Sequence, residues 1–244
     1  MYLSAGEAYS FKIMALFRFT IGNLNSLATR CLIRSIKQIK ALYDAEIYIL
    51  YNGEPPFHLN HLPVTIIDQT DHIGDLPLPV GVAWKLYPPR LRKDSHEIFI
   101  DNDLVINDKI PEIDQFLEND NKCLLLEEDT RTYGRFAKHV PANIYVNSGL
   151  FGVPPEFDFG KYVKYYTIGK QWEINALGKY AESCTFDEQG LVALILSNQK
   201  HIMISKKTIT NCEQTLIPAK GNHFIGLNRR NYEPFKKFML KELI

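Results

Sequence analysis

Apolar residues along this chain form two patterns. Some stand in short continuous runs, and others recur every three or four residues. The short runs, rich in β-branched and aromatic residues, predict strands, whereas the stepped segments predict amphipathic helices. The predicted strands are residues 11–19, 45–50, 64–68, 98–100, 122–126, 145–153 and 201–209. The predicted helices are residues 27–42, 82–92, 111–117, 159–172, 187–196 and 232–244. This alternation implies an α/β fold with a mainly parallel central sheet flanked by helices.

An acidic triplet, Asp101-Asn102-Asp103, follows the apolar run at residues 98–100 directly. Ligands of open α/β sheets bind at the carboxyl ends of the strands, where this triplet would lie. In an extended segment, residues two apart project to the same side, so Asp101 and Asp103 could aim at one point. Two such carboxylates repel each other unless a divalent cation lies between them, and a nucleotide diphosphate is a natural companion of that ion. The alternative is a polar turn without a ligand.

Length and charge narrow the classes of function. The chain has 244 residues, the size of one ordinary domain. Its formal net charge is zero, which argues against nucleic acid or an anionic membrane surface as the main partner. Its four cysteines lie far apart, without metal-ligand spacing or a disulfide pattern, as in reducing compartments. With neither a signal peptide nor a bilayer-long apolar run, we expect a cytoplasmic protein or one peripheral to a membrane.

Five motifs occur in an order that resembles the glycosyltransferases of the GT-A fold, most of all the galactosyltransferase and glycogenin-like group called family 8. That group has Arg-Leu-x-x-Pro, then D-x-D, Asn-Ser-Gly, Asp-Gln-Asp, and finally His-Phe-x-Gly followed by a lysine. The similar segments here are Lys85–Pro89, Asp101–Asp103, Asn147–Gly149, Asp187–Gln189 and His223–Gly226, with Arg229 where the lysine is usual. Lysine replaces the first arginine, and Asp-Glu-Gln replaces Asp-Gln-Asp.

The resemblance implies a single GT-A domain over residues 1–244, with a nucleotide-binding half at about 1–106 and an acceptor-side half at about 107–244. It implies Mn²⁺ or Mg²⁺ as the metal and a UDP-sugar as the donor. The expected metal ligands are Asp101, Asp103 and His223. The residues expected to contact the donor are Lys85, Asn102, Asn147, Ser148, Gly149, Gly226 and Arg229.

Topology adds candidates for recognition of the nucleotide base. The carboxyl ends of the first two strands should face the nucleotide. We therefore expect contacts from Ala15, Phe17 and Arg18 in the first strand and from Tyr51 and Asn52 after the second. A tyrosine could stack on a uracil face. Phe17 and Tyr51 could equally be core aromatics.

Asp187 and Glu188, at the start of a predicted helix, are the candidate catalytic acids. On the acceptor side of the donor sugar, either could act as a general base or stabilise a cationic sugar. The alternative is that both acids only favour the helix dipole. Solvated helix or surface positions are likewise the alternative for Lys85 and Arg229, and a core or loop histidine is the alternative for His223.

The function predicted from the sequence is metal-dependent transfer of a hexose from a UDP-sugar to a hydroxyl of a glycan, lipid or protein, with retention favoured over inversion. One rival is a nucleotidyltransferase that forms sugar nucleotides. It would need a glycine-rich loop after the first strand, where residues 15–22 hold one glycine. The other rival is a non-catalytic protein that binds sugar nucleotides or glycans.

Overall fold

The computed structural model describes residues 15–54, 56–70, 82–166, 186–212, 216, 218–226 and 233–241. Its main sheet has seven strands in the order β3-β2-β1-β4-β7-β6-β8. These strands are β1 Ala15–Ile21, β2 Ala45–Tyr51, β3 Thr65–Asp68, β4 Glu97–Ile100, β6 Cys123–Glu127, β7 Val146–Val153 and β8 His201–Ile204. All pairings are parallel except those of β7, which runs antiparallel to both β4 and β6.

A second, three-stranded sheet has the order β5-β10-β9. Its strands are β5 Leu104–Ile106, β9 Ile209–Asn211 and β10 Gly221–His223. β10 pairs antiparallel with β5, so the late part of the chain lies beside the segment that follows β4. The described helices are α1 Ser26–Leu42, α2 Pro111–Leu117, α3 Phe159–Lys164, α4 Asp187–Ser197 and α5 Glu233–Lys241. None of them is long and apolar enough to cross a bilayer.

Burial explains why β4 is apolar from Ile98 to Ile100. All four of its residues are buried, because strands β1 and β7 flank it and helices cover the sheet faces. Phe99 of β4 stacks on its cross-strand partner Phe151 of β7, with ring centroids 4.3 Å apart. α1 buries one face, including Leu32, Ile36 and Ile39, against the sheet, and Asn25 caps its amino end by accepting a bond from Ala28 N.

The structure changes several predicted elements. The helix predicted at residues 82–92 is a 3-10 turn, Val82–Leu86, because the Pro88-Pro89 pair cannot continue a helix. The strand predicted at 201–209 divides into β8 and β9, which belong to different sheets. His223 lies in a strand and not in the predicted loop. The first residues of the predicted strand 11–19 and the end of the predicted helix 159–172 lie outside the described residues.

A buried ion-pair network fixes the segment that follows the 3-10 turn. Arg18 Nη1 lies 2.9 Å from Glu97 Oε1, and both side chains are fully buried. Arg90 Nε lies 3.2 Å from the other oxygen of Glu97. Arg18 also donates to the carbonyls of Tyr87 and Pro88, and it lies 4.4 Å from the centroid of the Phe99 ring. β1 is thereby tied to the segment that carries Lys85.

Replacing Glu97 with alanine should lower the free energy of unfolding by about 3–5 kcal/mol, since Arg18 would keep a buried charge without its partner. Denaturant unfolding followed by circular dichroism measures this. The matched control is Glu46→Ala, which breaks the exposed pair with Arg92 and should cost about 0–1 kcal/mol. Equal effects of the two changes would contradict a structural role for the buried network.

Candidate active site

A cleft of about 620 Å³ opens at the carboxyl ends of β1 and β4, between the two sheets and the start of α4. The end of β1 and the segment after it contribute one group of lining residues, and the loop after β6 and the start of α4 contribute another. Its lining residues are Thr20, Ile21, Gly22, Leu24, Trp84, Lys85, Asp101, Asn102, Asp103, Glu128, Thr130, Thr132, Asn147, Ser148, Phe186, Glu188, Gln189, His223, Ile225 and Gly226. The lining is rich in carboxylate, amide and hydroxyl groups.

Asp101, Asp103 and His223 meet in the middle of this cleft, each offering one ligand atom within 4.8 Å of the others. His223 Nε2 is 3.3 Å from Asp103 Oδ1 and 3.8 Å from Asp101 Oδ2. The triplet forms a turn and not the expected extended segment, because Leu104 N donates back to the carbonyl of Asp101. The turn still brings both carboxylates to one point.

The backbone holds this cluster together. Phe224 N donates to the carbonyl of Asp103 at 2.8 Å, which joins the end of β10 to the acidic turn. Asp101 N donates to the carbonyl of Gly149 at 2.8 Å, which joins the turn to β7. Side chains distant in sequence are therefore positioned by three strands of two sheets.

The donor set fits a divalent cation. Two carboxylates and one imidazole are ligands that suit Mn²⁺, and Mg²⁺ accepts the carboxylates. Burial lowers the pKa of His223, but the hydrogen bond to Asp103 and the charges of both aspartates outweigh it and raise that pKa above its ordinary value. The acidic environment therefore favours a positive charge at this point, which a metal ion can supply in place of the proton.

Gly149 provides the space that the His223 ring occupies. A Cβ at Gly149 would overlap the ring at Cε1 and would lie 3.0 Å from Nδ1. The neighbouring side chain of Asn147 accepts a hydrogen bond from Gly149 N at 2.7 Å and donates to Glu128 at 2.6 Å. The Asn-Ser-Gly motif thus shapes the wall against which the histidine lies.

Lys85 connects the metal cluster to Glu188. Its Nζ is 2.6 Å from Asp101 Oδ1, 3.5 Å from Glu188 Oε1 and 3.2 Å from the carbonyl of Ser148. Burial lowers the pKa of Lys85, but the two carboxylates outweigh it and raise that pKa above its usual value. Burial raises the pKa of Glu188 to about 7, against the opposing charge of Lys85. Ser148 Oγ donates to Glu188 Oε2 at 3.0 Å.

Comparisons with known proteins identify the fold of this chain. No family model and no curated protein matches the chain. Among solved structures, it is similar to the galactosyltransferase LgtC in complex with donor and acceptor sugar analogs, at a TM-score of 0.62 and 12% identity, with 93% of this chain and 94% of that chain covered. The chain has the GT-A fold. The α/β architecture predicted from the sequence is confirmed.

Two further structures with this fold are longer than the present chain. One is the apo form of the glycosyltransferase GlyE of Streptococcus pneumoniae TIGR4, with a TM-score of 0.54, 12% identity, and coverage of 95% of this chain and 61% of that one. The other is the bifunctional glycosyltransferase WbbM, with a TM-score of 0.53, 12% identity, and coverage of 91% and 47%. The present chain thus spans about half to three fifths of the length of these two structures.

Three residues expected to contact the nucleotide lie elsewhere in the GT-A fold. Ala15 is buried at the start of β1, the end opposite the cleft. Phe17 is fully buried in the core, and Arg18 forms a buried ion pair with Glu97. The prediction placed the carboxyl end of β1 too early. The polar residues Arg18 and Thr20 interrupt the apolar pattern, but the strand continues to Ile21.

Asp187 is separated from the cleft, in contrast to the role predicted for it. Its two oxygens accept from Arg135 N at 2.7 Å and Arg135 Nε at 2.6 Å, and the residue is buried. The hydroxyl of Tyr51 donates to Asp68, and neither Tyr51 nor Asn52 lines the cleft. Arg229 lies outside the described residues.

The sequence interpretation missed Trp84, Glu128, Gln189 and the residues after β1 as part of the cleft. Glu128 follows β6 directly, and this position at a strand's carboxyl end was the available signal. Gln189 donates to Thr132 and accepts from Ser148 N. Trp84 carried no signal, because a lone tryptophan within a predicted helix is usually a core residue.

We expect Gly149→Ala to abolish most Mn²⁺ binding although it removes no ligand, because the added Cβ would displace the His223 ring. Calorimetric titration with Mn²⁺ measures the affinity, and His223→Ala gives the reference loss. The matched control is Gly22→Ala, in the same cleft, whose Cβ would make only an ordinary 3.5 Å contact with Trp84. Normal Mn²⁺ affinity in Gly149→Ala would contradict this packing account.

Mn²⁺ affinity should rise with pH through the range in which His223 loses its proton, since metal and proton compete for the same nitrogen. The raised pKa of His223 in the metal-free protein places that range above the ordinary value for histidine. Titrations at a series of pH values measure the slope. In His223→Gln the affinity should be lower and its slope over this range smaller. An identical slope in the variant would show that His223 is not a ligand.

Proposed function

We propose that this protein is a metal-dependent glycosyltransferase that transfers a hexose from a UDP-sugar to a hydroxyl acceptor with retention of configuration. The observation that carries the proposal is the meeting of Asp101, Asp103 and His223 in the cleft of a GT-A fold. The fold supplies the binding edge, and the cluster supplies the ligands for a metal–diphosphate complex. The structures with the same fold are galactosyltransferase and other glycosyltransferase structures, which supports sugar transfer here.

The three ligands would hold Mn²⁺ or Mg²⁺ at the centre of the cleft. A bound ion of this kind acts as a Lewis acid and stabilises the negative charge that develops on a departing diphosphate. Lys85 adds a fixed positive charge next to Asp101, and its contacts with Asp101, Glu188 and Ser148 hold its ammonium group in place. Preorganised charge of this kind stabilises a transition state without reorganisation.

Glu188 is the carboxylate we propose at the reacting centre. It lines the cleft and is almost fully buried, and its Oε1 has the Lys85 ammonium 3.5 Å away as its charged partner. Lys85 bridges Glu188 and the metal ligand Asp101, so Glu188 lies on the side of the cleft where the leaving diphosphate would bind. A base for inversion must work on the opposite face of the sugar. This placement favours retention, with Glu188 stabilising a cationic sugar or orienting the acceptor.

The decisive experiment is incubation with a panel of UDP-hexoses and GDP-sugars, with Mn²⁺ and with a chelator. We expect Mn²⁺-dependent release of UDP from one UDP-hexose, and NMR recorded before mutarotation should show the released hexose first in the anomeric configuration of the donor. The double variant Asp101→Asn with Asp103→Asn should release none. Pyrophosphate exchange would instead indicate a nucleotidyltransferase, and binding without turnover would indicate a binding protein; either result overturns the proposal.

Replacing Glu188 with glutamine should lower turnover by roughly a hundredfold or more, the usual scale for a positioned acid–base or electrostatic group. UDP affinity should be nearly unchanged. The matched variant is Asp187→Asn, one residue away, which weakens a buried pair with Arg135 and should lower stability more than turnover per folded molecule. Near-normal turnover in Glu188→Gln would remove this carboxylate from the mechanism.

A further inference from the structure

We propose that Trp84 forms the platform on which the nucleobase of the donor stacks, an inference that rests on the proposed function and names a residue for its specificity. The nucleotide end of an α/β cleft is the carboxyl end of the first strand, here Thr20 to Gly22. Among the described residues, the cleft lining contains the aromatic side chains of Trp84 and Phe186. Phe186 immediately precedes α4, whereas Trp84 lies beside Gly22 at the carboxyl end of β1, so Trp84 is the aromatic residue that the described part of the chain places at this end.

The indole lies against the backbone that ends β1. A Cβ built on Gly22 would be 3.5 Å from Trp84 Cζ3 and 3.9 Å from the carbonyl of Asn52. The tryptophan therefore occupies the space beside a residue without a side chain, at the edge where β1 and β2 end. Trp84 is only partly buried, so part of its ring surface remains exposed to the cleft.

The main chain under this ring is held by buried side chains. Gln69, fully buried after β3, donates to the carbonyls of both Trp84 and Tyr87. Arg18 donates to the carbonyls of Tyr87 and Pro88. Since a fixed aromatic surface loses little entropy when a ligand stacks on it, this bracing is what a binding platform requires.

Trp84 is also adjacent to the residue that contacts the metal cluster. Lys85 follows it on the 3-10 turn and bonds to Asp101. Neighbouring residues of such a turn project in directions about 120° apart. The same turn thus carries the aromatic ring of Trp84 on one side and the ammonium of Lys85 on another. The ammonium lies beside Asp101, where the diphosphate of the donor would bind. A nucleoside diphosphate has the matching arrangement of base and charge.

The test compares UDP with inorganic pyrophosphate, both in the presence of Mn²⁺. Stacking of one base contributes about 1–3 kcal/mol, so Trp84→Ala should weaken UDP binding by about ten- to a hundredfold. Pyrophosphate affinity should stay unchanged, because that probe has no base; this result also shows that the variant is folded. Trp84→Phe should recover part of the UDP affinity. Phe57→Ala, which removes an exposed aromatic outside the cleft lining, is the control.

Fluorescence gives an independent readout, because Trp84 and Trp172 are the only tryptophans of the sequence. In the variant Trp172→Phe, UDP should quench the remaining emission, whereas pyrophosphate should not. If the wild type binds UDP and Trp84→Ala binds it equally well, only the stacking inference is overturned. If the wild type binds pyrophosphate but no nucleoside diphosphate, both the inference and the proposed function are overturned.

Discussion

The site depends on the repulsion among carboxylates that the fold brings into one cleft. Asp101, Asp103 and Glu188 converge there, and among the described residues Lys85 and, when protonated, His223 face them with positive charge. Burial disfavours a proton on His223, but the charges of Asp103 and Asp101 outweigh it and raise the pKa of His223. Burial is the main cause of the raised pKa of Glu188, and the charge of Asp101 adds to it. A divalent cation bound between the two aspartates would relieve the same repulsion. The charge of the cleft therefore supports the proposed divalent cation, as the ligand types do.

Rigid elements maintain this unfavourable arrangement. β4 is buried along its whole length and delivers the acidic turn to the cleft. The second sheet returns His223 from more than a hundred residues later, because β10 pairs with β5 directly after the turn. The buried pair of Arg18 and Glu97 secures the segment after Lys85. Each support belongs to the core, so the repulsion at the site is offset by packing elsewhere.

Local patterns predicted the strands and helices well, and they predicted the position of the acidic triplet. The resemblance at the level of motifs added His223, which no local pattern would place beside Asp103. What local patterns could not predict were tertiary relations. Arg18 was expected to contact the nucleotide because it was placed near the carboxyl end of the first strand, but it pairs with the buried Glu97 of another strand. Asp187 was a candidate catalytic acid because it stands at a helix start in the segment similar to Asp-Gln-Asp, but Arg135 donates to both its oxygens.

The sequence at residues 187–189, which differs from the Asp-Gln-Asp motif of the similar family, has a structural consequence at the start of α4. Compared with the Asp-Gln-Asp of the similar family, the second acidic residue here stands one position earlier, and glutamine follows it. One residue on an α-helix corresponds to a rotation of about 100°. The shift turns a carboxylate toward Lys85, whereas Gln189 bonds to Thr132 and Ser148. A lysine at position 85 suits this arrangement, because an ammonium is a compact charge that can face two carboxylates from different directions, whereas the planar guanidinium favours bidentate pairing with one. Lys85 and Glu188, which both differ from the motifs of the similar family, face each other at 3.5 Å, so a chemistry based on Glu188 has to be tested together with Lys85.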